Sequence, residues 1–108
     1  MMQYEDVIKN IIEFRNSCNW QEYHTLKNLA ISLNIEAGEL LEHFQWSEDP
    51  TKSQEKKDSL EMELADILTY AYYMCEKLNV NPNDLVEQKL AINQGREWKF
   101  EKPEKSDD

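Results

Sequence analysis

Apolar residues recur along this chain at three- and four-residue spacing, the period of a helix, and nowhere alternate as in a strand. Tyr4, Val7, Ile8, Ile11, Ile12 and Phe14 predict a helix over residues 3–17. Residues 18–24 are aromatic and less periodic, and read as a connector. Thr25 is a natural N-cap for a second helix over residues 26–46, whose apolar face is Leu26, Leu29, Ala30, Leu33, Ala37, Leu40, Leu41 and Phe44. A polar connector containing Pro50 covers residues 47–54, and a third helix follows over residues 55–78. Residues 79–84 read as a turn, with Pro82 suited to the first turn of a fourth helix over residues 82–97. Residues 101–108 hold no apolar side chain and are expected to be a disordered acidic tail on a domain spanning residues 1–100. The pattern predicts an all-α, four-helix bundle.

The end of the third helix departs from a one-sided pattern. Residues 67–75, ILTYAYYMC, are apolar or aromatic nearly all the way round. A helix buried on one face carries a stripe, not a sleeve. A second face meeting another subunit explains the excess, so the bundle is expected to be completed by oligomerisation, as a homodimer or a tetramer.

Composition narrows the class. Two Gly and three Pro in 108 residues are too few for a turn-rich sandwich or barrel. Twelve basic against 22 acidic residues give a net charge of −10, which argues against nucleic acid or an anionic membrane as partner. No apolar run approaches a membrane span, and the first residues do not read as a signal peptide. Cys18 and Cys75 make no disulfide scaffold. A cytoplasmic protein is expected.

Candidate chemistry lies in two acidic pairs. At about 100° per residue, Glu36 and Glu39 flank one side of the apolar stripe of the second helix. Glu63 and Asp66 flank the same side of the stripe of the third, formed by Leu60, Leu64, Ile67, Ala71 and Leu78. Packed antiparallel, the two helices would bring four carboxylates together at the edge of the core. Four like charges cannot share a small volume without a countercharge. A hard divalent cation supplies it: Mg²⁺, with Mn²⁺ as a possible substitute, takes carboxylate oxygens and keeps water positions for a phosphate substrate. His43, four residues after Glu39, lies close to the same phase and is left open as a ligand, a neighbour of the ligands, or simply a polar residue beside a charged groove.

Lys89, Asn93 and Arg96 form a basic and polar stripe on the fourth helix, of a kind that can hold phosphate oxygens. Trp20, Tyr23, His24 and Trp46 put aromatics at both ends of the second helix. There is no phosphate-binding Gly loop and no Cys/His zinc pattern. Neither cysteine has a placed base, so nucleophilic catalysis is not expected.

Taken in order, these motifs resemble the all-α nucleoside triphosphate pyrophosphohydrolases of the MazG-like superfamily, and within it the dCTP pyrophosphatase branch. The matching residues are Phe14-Arg15, Trp20, His24 and Asn28; then Glu36, Gly38-Glu39-Leu40 and Phe44-Gln45-Trp46; then Glu63-Leu64-Ala65-Asp66 and Tyr70; then Lys89, Asn93 and Arg96. The resemblance covers roughly residues 8–100. Ile35 and Met62 stand where the superfamily often has a further Glu, and Trp98 where Tyr is usual.

The resemblance implies cleavage of the α–β phosphoanhydride of a nucleoside triphosphate, dCTP first, to the monophosphate and pyrophosphate. It implies a metal held by Glu36, Glu39, Glu63 and Asp66, with Glu36 or Glu39 orienting the water. Lys89 and Arg96 would hold phosphate oxygens. It implies a base pocket of His24, Asn28 and Trp46, with Tyr70 and Asn93 near the sugar and Trp98 also at the substrate. The competing reading is a non-catalytic helical interaction or regulatory module whose acidic faces are merely solvated. For Trp46 the competing reading is an aromatic plug closing the end of the bundle.

Overall fold

The computed structural model describes residues 2–96. Within them the chain forms four α-helices and two short 3₁₀ turns, and no strand. The all-α expectation therefore stands. The tail over residues 101–108 and Trp98 lie outside the described residues; the fourth helix, expected to reach residue 97, stops at Gln94, where Gly95 takes the C-cap and its N–H closes on the Ala91 and Ile92 carbonyls.

Helix α1 runs Tyr4–Ser17, α2 Leu26–Glu42, α3 Gln54–Leu78 and α4 Pro82–Gln94. Local chemistry fixes the boundaries. Thr25 caps α2 by accepting from the Asn28 N–H, as its hydroxyl predicts. Ser53 caps α3 by accepting from the Lys56 N–H. Asn81 caps α4 by accepting from the Asn83 and Asp84 N–H groups, with Pro82 in the first turn. Helix α3 ends on Asn79 at φ 58°, a left-handed stop that Asn tolerates better than most residues.

Helix α2 is shorter than the apolar pattern suggests. Its ladder tightens after Glu42: the N–H groups of His43, Phe44 and Gln45 donate three residues back, to Leu40, Leu41 and Glu42. Beyond them Ser47 and Asp49 draw backbone N–H groups to their own side chains, a competitor the helix loses to. Phe44, Gln45 and Trp46 therefore sit in a turn.

Helices α2 and α3 make the most extensive packing, and α1 leans on α3. The two central helices are antiparallel: His24, just before α2, meets Tyr73 late in α3, whereas His43 at the end of α2 meets Glu63 early in α3. Helix α1 is fastened by Tyr4 edge-on to Tyr72 and by an Arg15–Glu76 ion pair at 3.7 Å. Helix α4 packs extensively on none of the other elements among the described residues.

One chain encloses little core. Of its large apolar side chains Leu29 and Tyr73 are buried, at 1% and 5% exposure. Leu64 and Leu78, expected to face inward, are about half exposed, as are Leu68 and Ile35. The radius of gyration is 17.1 Å, against roughly 13 Å for a compact domain of about 100 residues.

Candidate functional site

The antiparallel packing of α2 on α3 brings three of the four predicted carboxylates together. Glu36, Glu39 and Glu63 each place an oxygen within 4.8 Å of the others. Asp66, one turn further along α3, is not in that group, but its charge acts on both Glu36 and Glu39. Glu39, Glu42, His43 and Glu63 line an open depression of about 380 Å³.

The electrostatics of the cluster are those of crowded anions. Burial, and then the charges of Glu39, Asp66 and Glu63, push the Glu36 carboxyl up to about 7. Glu63 raises Glu39 as well, chiefly by its charge. Glu36 Oε1 and Glu63 Oε1 are both buried with no hydrogen-bond donor. Two ionised carboxylates offer each other none, and a proton held between them supplies one. A divalent cation satisfies the same oxygens without that proton, so the donor set fits a hard metal ion.

Two further residues belong to this neighbourhood. His43, the C-cap of α2, holds Nε2 3.8 Å from Glu63 Oε2. Glu42 was no candidate on the sequence, yet it continues the Glu36, Glu39 spacing by another three residues; that ladder was the available signal.

The predicted base-binding residues separate into two places. His24 packs edge-on against Tyr73 at 4.8 Å and lies 6.4 Å from Trp20, which in turn packs on Phe14. Burial, with help from Arg15 and Lys77, lowers the imidazole's proton affinity, and its Nδ1 is buried without a partner. Asn28 donates from Nδ2 to the Tyr23 carbonyl, so its amide is partly committed to the connector. Tyr70 stands beside this group, 6.4 Å from Tyr73. Trp46 is beyond the opposite end of α2 and 89% exposed, so within one chain it plugs nothing. From Asn28 to Glu42 the helix rises roughly 21 Å. One chain therefore does not present His24, Asn28 and Trp46 to a single base.

On α4, Lys89 is exposed and Asn93 half-buried; Arg96 follows the helix, its N–H donating to the Asn93 carbonyl. No helix among the described residues is long and apolar enough to cross a membrane.

Known proteins are similar to this chain. The MazG-like family model matches residues 31–107. The chain is 32% identical to dCTP pyrophosphatase 1 of Homo sapiens over 97 residues, covering 85% of this chain and 57% of that protein. It is 33% identical to dCTP pyrophosphatase 1 of Rattus norvegicus at the same coverage. It thus spans little more than half the length of these curated relatives. Among solved structures, a pyrophosphatase from Archaeoglobus fulgidus is 38% identical, with a TM-score of 0.76 over 87% of this chain and 91% of that one. The matched region contains both acidic pairs, and the chain belongs to the MazG-like family.

Proposed function

We propose that this protein is a Mg²⁺-dependent nucleoside triphosphate pyrophosphohydrolase with dCTP as its preferred substrate, serving to clear the nucleotide pool. The observation that carries this reading is the convergence of Glu36, Glu39 and Glu63 with two buried, donorless oxygens. Family membership and the names of the relatives support the reaction class.

Glu36, Glu39 and Glu63 would hold the metal, with Asp66 as the fourth carboxylate of the set. When bound, Mg²⁺ would screen the triphosphate and make water at the site more acidic. A carboxylate of the Glu36–Glu39 pair takes the proton as the water oxygen attacks the α-phosphorus. The bond from that phosphorus to the α–β bridging oxygen breaks, and the oxygen leaves with pyrophosphate. Lys89 and Arg96 bind phosphate oxygens and stabilise the charge on the leaving group. Asn93 and Tyr70 contact the sugar side of the substrate, and Trp98 is a further substrate-binding residue. His24 and Asn28 read the base, and Trp46 offers a stacking surface.

Because His24 and Trp46 lie at opposite ends of α2, a base held by both needs two copies of the chain. The exposed Leu64, Leu68 and Leu78 support the same conclusion, and we take the working form to be a homodimer or a tetramer. Pyrophosphate release from a panel of ribo- and deoxyribonucleoside triphosphates, with and without Mg²⁺, tests the proposal. Release that is fastest with dCTP and lost on chelation is expected; no release from any nucleotide would leave the interaction-module reading.

A further inference from the structure

Glu63 divides its two oxygens between different surroundings. Oε1 is buried with no donor, whereas Oε2 stands 3.8 Å from His43 Nε2, and the carboxylate as a whole belongs to the cluster with Glu36 and Glu39. Both side chains are largely shielded, at 20% and 23% exposure. A carboxylate in such a place rotates about its last bond unless something holds one oxygen.

His43 offers the donor: Nε2 stands 3.8 Å from Oε2, longer than a hydrogen bond, and a small rotation of either side chain closes that gap. His43 caps α2 in the right-handed helical region, its own N–H donating to the Leu40 carbonyl and the next N–H, of Phe44, to the Leu41 carbonyl, so the backbone is fixed. It lies four residues after Glu39 and so projects from the same face. The groups facing it are Glu39, Glu42 and Glu63, which share its depression.

We propose that His43 is a positioning residue for Glu63, holding Oε2 so that Oε1 stays turned into the carboxylate cluster. The inference rests on the metal-site reading above and deepens it. Partners of this kind, behind a ligating group, are typically worth about 10- to 100-fold in metal affinity. His43 itself contributes no ligand atom.

Calorimetric titration of Mn²⁺ into chelator-treated protein tests this without turnover. Wild type, His43→Leu, His43→Asn, His43→Gln and Glu63→Gln are compared, with the metal-free melting temperature of each. Gln keeps a donor at similar reach, whereas Leu has none and Asn is too short. His43→Leu and His43→Asn should bind Mn²⁺ about 10- to 100-fold more weakly while melting like wild type, and His43→Gln should recover most of the loss. If His43→Leu melts early, His43→Asn decides against His43→Gln. Unchanged affinity in His43→Asn, with Glu63→Gln still impaired, overturns the His43 role and leaves the metal site standing. A ¹⁴N coupling to Mn²⁺ in pulsed EPR of the wild type makes His43 a ligand and also overturns it. No Mn²⁺ binding by the wild type overturns the metal site itself, and the positioning role with it.

Discussion

The Tyr73 hydroxyl donates to the Ile11 carbonyl over 2.9 Å, a bond between residues 62 apart in sequence that ties α3 to α1. Tyr73 is buried and carries His24 on its ring, so this bond also fixes the wall of the aromatic group. Burial, its largest cause, holds the phenol above its usual pKa, and Tyr70 and Cys18 add to the rise against an opposing Arg15. The hydroxyl therefore stays a donor across the working pH range. Tyr73→Phe removes one hydrogen bond and no volume. It should cost about 1 kcal/mol and lower the melting temperature by about 4–8 °C, measured by circular dichroism. An unchanged melting temperature would mean α1 is held without this bond, by the Tyr4–Tyr72 contact and the Arg15–Glu76 ion pair.

That tie was not legible in the sequence, where Tyr73 was one ring in an apolar sleeve. Helix starts were legible, because Thr25 and Pro82 act within their own turn. The end of α2 was not: the apolar pattern continues through Phe44, while Ser47 and Asp49 decide the stop from outside it. The acidic cluster was legible because carboxylate phase is set by helical geometry alone, needing only antiparallel packing. Which oxygen of Glu63 faces His43 depends on side-chain rotation, on which spacing is silent. Leu64 and Leu78 were read as core from their period, yet period does not say whether the covering surface belongs to the same chain.

Without metal, stability should depend on pH through Glu36. Its folded pKa, about 7, lies above the ordinary carboxylate value of 4.5. The folded state thus binds the proton more tightly than the unfolded chain. That stabilisation is complete below about pH 4.5 and is lost as pH rises through about 7. Thermal melts in chelator should fall between pH 5.5 and pH 8, and Glu36→Gln should flatten the decline. A pH profile identical in wild type and Glu36→Gln would contradict the crowding described here; His24, whose proton affinity burial lowers, adds an opposing rise to both.

Oligomer formation should depend on the exposed stripe of α3. Leu68→Glu places a charge where a partner's apolar surface is proposed, and should shift light scattering toward the 12.9 kDa monomer. A wild type that is already a folded monomer at micromolar concentration would refute the assembly.

The two ends of α2 should respond differently to substitution. Stacking on an indole is worth about 1–3 kcal/mol and accepts any base. Trp46→Ala should therefore raise KM for every accepted nucleotide by similar factors, about 5- to 150-fold, with no change in melting temperature. His24→Ala should change the ratio between nucleotides. An unchanged KM in Trp46→Ala would remove that residue from the substrate site.

In the mechanism proposed above, the carboxylates of α2 and α3 direct attack to the α-phosphorus. The most direct measurement is the identity of the products formed from dCTP in Mg²⁺ by wild type, Glu63→Gln and Asp66→Asn. Wild type should give dCMP and pyrophosphate in equal amounts, and both variants should be inactive while melting as folded proteins. Formation of dCDP and orthophosphate, or full turnover by Glu63→Gln at saturating Mg²⁺, would contradict the account.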